Sequence, residues 1–270
     1  MRLLCFLLAT SFALAQDRIP PTHEKLIPTV WTQTSVEWRA GALQAYRLAK
    51  VQLDAALADP LWNALAGWPQ EQRTAEPAVI LDIDETVLDN SPGQARQVMA
   101  GTDFVPAQWN QWVDEAKADP VPGAAEFCRY AYSRGVRVFY ITNRDQGQEA
   151  KTRENLARHG FPLGNDNYDT VLTRGEAPGG SDKEERRKKV ARLFRVVLLV
   201  GDDLGDFLPN VRDTPEKRAA LAAPYSEYWG YKWILLPNPS YGSWEQAVNG
   251  DAGTAAERLE RKTKSLNPRQ

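Results

Sequence analysis

Ala78-Val79-Ile80-Leu81-Asp82-Ile83-Asp84-Glu85-Thr86 is the stretch on which the fold turns. Its four leading apolar residues form a short run of the kind that is buried on both faces of a parallel sheet. The run then ends abruptly in carboxylates. In open α/β sheets, ligands bind at that carboxyl-terminal edge of the strands. A strand repeats every two residues, so Asp82 and Asp84 are expected on one face, where like charges crowd unless a cation or a bound proton separates them. That arrangement suits a nucleophile and a metal together. Taken alone, it also fits a solvated strand end with acidic turn residues.

Working outward, Val136-Arg137-Val138-Phe139-Tyr140-Ile141, Val196-Val197-Leu198-Leu199-Val200 and Trp233-Ile234-Leu235-Leu236 carry the same β-branched and aromatic signature of buried strands. Helical patterns lie between them, from Gln148 to His159, closed by Gly160, and from Lys183 to Phe194. Strand and helix alternation implies an α/β fold, a Rossmann-like parallel sheet covered on both faces. Upstream, a helix is expected from Thr34, with Thr34 and Glu37 spaced as a capping box and apolar residues recurring to Leu57 before Pro60. The organisation expected is a helical part of a small domain over 16–75, a core strand over 76–90, a helical cap insertion over 91–120, the rest of the α/β core over 121–250, and a charged helical or disordered tail over 251–270.

Arg2 precedes an apolar run from Leu3 to Ala15 that ends Ala13-Leu14-Ala15, the small-residue pattern of a signal-peptide cleavage site. A signal peptide over 1–15 and a mature chain from Gln16 are expected. The run falls short of the about 20 apolar residues of a membrane span, so no integral membrane segment is expected. Cleavage would remove Cys5 and leave Cys128 alone, with no intramolecular disulfide. The chain has 270 residues and a formal charge of only -2, so no bulk field favours a nucleic-acid polymer or a membrane surface. Two histidines, His23 and His159, and one mature cysteine are a poor basis for zinc or haem.

The other strand ends add to the picture. Thr142-Asn143-Arg144 follows the second strand and precedes a helix, which puts a hydroxyl and backbone N–H groups where a phosphate could sit, although a plain N-cap threonine would look the same. Ser181 and Glu184 have capping-box spacing, with Lys183 in a first turn where the helix dipole opposes a cation. A bound anion would explain that lysine; a solvated charge run through Lys189 is the alternative. The third strand ends in Gly201-Asp202-Asp203-Leu204-Gly205-Asp206, and such hard oxygen ligands favour Mg2+.

Asp82-x-Asp84-x-Thr86, then Thr142, then Lys183, then Gly201-Asp202 with Asp206, resembles the four-part signature of the haloacid dehalogenase (HAD) superfamily of phosphohydrolases. Longer stretches, among them Trp31 to Glu37, Asp82 to Pro92, Trp109 to Asp114, Val121 to Ala124, Ile141 to Arg144 and Leu236 to Gly242, resemble the class C acid phosphatases. The resemblance implies a HAD core with a small helical cap, and an Mg2+-dependent enzyme acting on small phosphate monoesters. It implies that Asp82 attacks phosphorus and that Asp84 serves as acid and then base. Thr142 and Lys183 would hold phosphate oxygens. The Asp82 carboxylate, the Asp84 carbonyl and the Asp202 carboxylate would ligate Mg2+, with Asp206 supporting them.

The same resemblance places Asn143, Arg144, Phe104 and Tyr241 against the substrate, the two rings where a nucleobase would stack, and puts Arg96 where an aromatic often stands. Nucleoside 5'-monophosphates are the expected substrates, with an acidic optimum. A phosphotransferase on the same residues and a non-catalytic uptake protein binding nucleotide or haem are the alternatives. Because Gln16 stands where relatives carry a lipidated cysteine, a soluble periplasmic or secreted protein without a lipid anchor is expected.

Overall fold

The apolar runs around Asp82 assemble into one five-stranded parallel sheet in the computed structural model, which describes residues 23–67, 75–164 and 168–269. The expected signal peptide lies outside the described residues. In chain order the strands are β1 (Pro77–Leu81), β2 (Leu88–Asp89), β3 (Asp119–Pro120), β4 (Arg137–Asp145), β5 (Val171–Arg174), β6 (Arg195–Gly201) and β7 (Trp233–Leu235). The sheet order is β5-β4-β1-β6-β7, while β2 and β3 make a separate antiparallel pair.

β1 is central, with Ala78, Val79 and Leu81 fully buried, which is why its sequence is apolar on consecutive positions rather than alternating. The chain runs from β1 outward to β4 and β5, then returns across β1 to β6 and β7. That reversal opens a crevice beyond the carboxyl ends of β1, β4 and β6, where the residues following each strand converge. β5 escapes the sequence pattern because only four residues long, at the sheet edge, it carries too little apolar text to stand out.

The amino-terminal helix divides in two, α1 (Leu26–Thr34) and α2 (Val36–Ala58). Ser35, extended in backbone, accepts the Trp38 N–H at 3.1 Å, so the cap is one residue later than the Thr34 box; the Thr34 hydroxyl instead donates to the Val30 carbonyl at 2.7 Å. α2 belongs with the core rather than with a small domain. Its Tyr46, Ala49 and Leu53 pack with Val79, Leu81 and Phe127 of α5 (Ala124–Ser133) over one sheet face. The Tyr46 hydroxyl donates to the Thr86 carbonyl at 2.6 Å, tying that helix to the loop after β1. The other face is closed by Phe194, Phe207 and Trp233.

The insertion forms two helices, α3 (Ser91–Ala100) and α4 (Pro106–Glu115), and α1 packs against α3. Gly93 is required there: a Cβ would lie 2.9 Å from Trp112 Cγ, so the bare backbone lets the indole close over the helix. α6 (Glu149–Arg158) and α7 (Glu184–Ala191) follow β4 and β5, and α8 (Pro215–Ala222) and α9 (Ser243–Asn249) flank β7. The tail is helical, α10 (Ala255–Ser265), started by a capping box of Thr254 and Glu257 and laid against α9.

Cys128 on α5 is fully buried, and burial pushes its thiol up to about 12. Only the thiolate is nucleophilic, so Cys128 is expected to resist maleimide in the native protein and to react once the chain is unfolded in denaturant. Peptide mass spectrometry after each treatment reads this directly; native labelling at Cys128 would contradict the packing described.

Candidate active site

Asp82 follows β1 directly and its N–H bonds the Val200 carbonyl at 3.0 Å, which fixes it between β4 and β6. Lys183, at the start of α7, sends its ammonium to Asp82 Oδ1 and, at 2.7 Å, to Asp206 Oδ1. The other oxygen of Asp206 accepts the N–H groups of Asp202 at 3.1 Å and Asp203 at 3.0 Å. Gly201 makes this possible, since a Cβ on it would lie 2.2 Å from Asp206 Oδ2. The turn after β6 is therefore wrapped around the Asp206 carboxylate. Asp202 in turn accepts from Thr86 Oγ1 and from Asn238 Nδ2, both at 2.9 Å.

Carboxylate oxygens of Asp82, Asp202 and Asp206 all lie within 4.8 Å of one another. Burial pushes Asp82 up to about 7, with Asp206 and Asp84 adding and Lys183 opposing. Burial likewise lifts Asp202 well above the ordinary carboxylate range, helped by Asp206 and Asp82. Burial works to lower Lys183, but Asp206 and Asp82 outweigh it and hold the ammonium charged. Three close carboxylates with one ammonium are short of positive charge, and hard oxygens in that state suit a divalent cation. Asp206 takes the Lys183 ammonium on one oxygen and two backbone N–H groups on the other, whereas Asp202 accepts one neutral side-chain donor on each, so a supporting part suits Asp206 better than direct ligation.

Asp84 is held separately. Its Oδ1 accepts from Arg144 Nη2 at 2.7 Å, Arg144 Nε at 3.0 Å and Asn90 Nδ2 at 2.9 Å. Its Oδ2 has only longer contacts, 3.3 Å to Arg144 Nε and 3.4 Å to Thr142 Oγ1. Asn90 is itself fixed by the Trp112 indole N–H at 2.8 Å, so the insertion reaches the Asp84 carboxylate through that amide. Oδ2 is thus the oxygen of Asp84 available to exchange a proton.

Several expectations change in detail. Thr142 is no N-cap: β4 continues to Asp145, and Asp145 with Gln148 caps the short 3-10 turn before α6. Thr142 is fully buried and accepts the Arg144 N–H at 3.1 Å. The capping partner of Glu184 is Asp182, whose Oδ1 accepts its N–H at 2.8 Å, rather than Ser181. The charge run after Lys183 is not wholly solvated. Arg186 is 1% exposed and donates to the Thr142 carbonyl at 2.5 Å and to Asn143 Oδ1 at 2.7 Å. Periodicity could not mark it, because four basic residues in succession look alike in sequence. Arg144, expected against the substrate, does line the cavity, but its guanidinium is occupied by Asp84 and Thr152.

A cavity of about 500 Å³ opens from Asp82, Asp84, Lys183 and Asp202 and is walled by Phe104, Trp109, Trp112 and Tyr241. Asn143 also lines it. Arg96 does not. It points away to a bidentate pair with Glu115 at 2.6 and 2.9 Å, and stacks 5.1 Å from the Trp112 ring, so it braces the outer side of that indole. Glu85 is an unforeseen member of the site. It adopts a left-handed backbone (φ 58°), and its carboxyl accepts from Asn90 N and Gln94 Nε2 at 3.1 Å each and from the Tyr241 hydroxyl. Burial, then Asp84 and Asp89, lift Glu85 well above the usual range.

A family model described as "HAD superfamily, subfamily IIIB (Acid phosphatase)" matches residues 10–244. A solved structure of the class C acid phosphatase from Bacillus anthracis is 34% identical, covers 91% of this chain and 98% of its own, and superposes with a TM-score of 0.79. A crystal structure of the Bacillus anthracis class C enzyme with tungstate bound is 33% identical over 93% of this chain and 99% of its own, with a TM-score of 0.80. Acid phosphatase 1 of Solanum lycopersicum is 26% identical over 60% of this chain and 57% of its own length. A stem 31 kDa glycoprotein of Glycine max is 25% identical over 60% of this chain and 58% of its own. The match thus spans a little over half the length of these plant relatives.

Proposed function

We propose that this chain, which belongs to the subfamily IIIB acid phosphatases of the HAD superfamily, hydrolyses phosphate monoesters through an aspartyl-phosphate on Asp82. The observation that carries the proposal is the separation of two carboxylates two residues apart. Asp82 lies against Lys183 in the acidic cluster, while Asp84 is turned onto Arg144 and Asn90. That separation supports attack by Asp82 and proton movement by Asp84.

In the first step an Asp82 oxygen forms a bond to phosphorus as the bond from phosphorus to the ester oxygen breaks. Asp84 Oδ2, protonated, gives its proton to the departing oxygen, and Arg144 on Oδ1 stabilises the carboxylate that remains. In the second step Asp84 takes a proton from water as that water attacks phosphorus, and Asp82 is released with inorganic phosphate. Lys183 holds positive charge beside the phosphoryl oxygens throughout. Asp82, Asp202 and the Asp84 carbonyl would hold Mg2+, which when bound neutralises charge on the transferring phosphoryl group. The shortage of positive charge among Asp82, Asp202 and Asp206 supports a cation there. The tungstate in the Bacillus anthracis relative, a tetrahedral oxyanion like phosphate, supports an anion site of this kind.

Nucleoside 5'-monophosphates are the proposed substrates, on the strength of Phe104 and Tyr241 lining the cavity beyond the carboxylates. Export through the amino-terminal apolar run is proposed with them. Phosphate release from nucleoside monophosphates and p-nitrophenyl phosphate, with Mg2+ or with EDTA, tests this. Turnover that EDTA removes and Mg2+ restores is the expected result. Failure to turn over any monoester across acid and neutral pH in folded, metal-supplied protein would favour an uptake or binding role. Adding alcohols separates a phosphotransferase, which would form new esters at the expense of free phosphate.

A further inference from the structure

Lys25 is a cation of the cavity that the phosphoryl chemistry leaves unused. It sits just before α1, half-buried, lines the same cavity as Asp82, and holds its Nζ 5.8 Å from the centre of the Tyr241 ring. The segment is anchored: the Lys25 N–H bonds His23 Nδ1 at 3.1 Å, and His23 Nε2 meets the Thr102 carbonyl at 2.9 Å, two residues before Phe104.

The acids that could neutralise Lys25 are engaged elsewhere. Glu24, its chain neighbour, and Glu245, which lines the cavity, both bind Lys262 of α10 at 2.6 Å. Glu85, at the hydroxyl end of Tyr241, is taken up by that hydroxyl, Gln94 and Asn90. Among the described residues no carboxylate pairs with Lys25. A half-buried ammonium facing a cavity without a counter-charge gains from an anion supplied by a ligand. Lys183 already serves the phosphoryl group at Asp82, and Tyr241 stands between Glu85, three residues on, and Lys25. The cavity therefore has one positive position at the reacting phosphate, Lys183, and another over the Tyr241 ring, Lys25, while of the other basic residues that line it Arg144 is held by Asp84 and Arg212 stands exposed.

From this we infer that Lys25 receives a second anionic group of the substrate, so that the favoured substrates are phosphate monoesters whose body carries another phosphate, such as nucleoside bisphosphates. The inference rests on the hydrolase reading above and adds the substrate class to it.

The test compares kcat/KM of the full chain for adenosine 5'-monophosphate, adenosine 3',5'-bisphosphate and adenosine 2',5'-bisphosphate, with chromatography to identify which phosphate leaves. At least one bisphosphate is expected to exceed the monophosphate by on the order of tenfold, as one charge-assisted contact would give. The better isomer shows which ribose position faces Lys25. In Lys25→Met the ratio is expected to fall to about one, and Lys25→Arg is expected to keep it. Equal turnover of mono- and bisphosphates by the unaltered chain would overturn the inference and leave the hydrolase intact. An equal loss for both substrates in Lys25→Met would reduce Lys25 to general attraction of anions and overturn it too. Absence of any turnover would overturn the hydrolase reading, and this inference with it.

Discussion

Asp82→Asn is expected to lower phosphate release by at least ~10³-fold, because removing a nucleophile leaves only binding and electrostatics to assist the reaction. The same change is expected to stabilise the metal-free protein. Folding lifts the Asp82 carboxyl from its ordinary 3.8 to about 7, chiefly through burial. The folded state therefore holds the proton more tightly than the unfolded chain. Its contribution to stability is fully present below pH 4 and is lost as the pH rises through 7. An amide at position 82 escapes that loss. Above pH 7 the gain should be on the order of a few kcal/mol, read as a higher midpoint in urea or on heating. Mg2+ should stabilise the unaltered chain more than the variant, since the variant lacks one ligand. Retention of more than a tenth of turnover would remove Asp82 as the nucleophile.

Asp84→Asn is expected to behave differently in both respects. A nucleotide ester needs a proton on its departing oxygen, so turnover of nucleoside monophosphates should fall by about 10²- to 10⁴-fold. p-Nitrophenolate departs without a proton at neutral pH, so formation of the phospho-enzyme should survive while its hydrolysis, which needs Asp84 as base, should not. Rapid mixing with p-nitrophenyl phosphate should then show a burst of p-nitrophenolate equal to the enzyme concentration, followed by a slow steady rate. Equal slowing of both substrates with no burst would refute the acid–base role. Stability should fall here, since the Arg144 guanidinium, 2% exposed as a residue, loses its anionic partner. A loss of about 1–3 kcal/mol is expected. Two isosteric changes two residues apart thus have opposite signs in stability, because Lys183 keeps Asp206 when the crowded Asp82 charge is removed, whereas Arg144 loses the carboxylate it is paired with.

The insertion meets Asp84 through Asn90 and meets Arg144, which holds the same carboxylate, through the Trp109 ring 5.7 Å from its guanidinium. Trp112 of α4 donates to Asn90, and Asn90 donates to the same oxygen of Asp84 that Arg144 holds. Arg96 and Gly93 matter through Trp112, one stacked on its ring and the other leaving room for it. The sequence singled out Arg96 as a residue facing the substrate, and the structure places it behind the wall instead.

The order of strands and helices was legible because burial on both faces forces runs such as Val79 to Leu81 and Val196 to Val200 to be continuously apolar. The short β5 and the start of α2 were misjudged where apolar text was scant or where two capping residues, Thr34 and Ser35, adjoin. Of the site, Asp82, Asp84, Lys183, Asp202 and Asp206 were visible as acidic or basic residues at strand and helix ends, and the cavity lining unites all five.

What the sequence by itself determined is the position of each chemical group along the chain, since strand length, glycine placement and the onset of charge are local properties. Only the tertiary structure decided which groups are partners. Lys183 meets Asp82 across 101 positions, Arg144 meets Asp84 across 60, and Tyr241 meets Glu85 across 156. Those pairings arise because the sheet order places β4 and β6 on either side of β1, and because buried charges are tolerated only where an opposite charge or a donor faces them. Neither condition is written in any single stretch of residues.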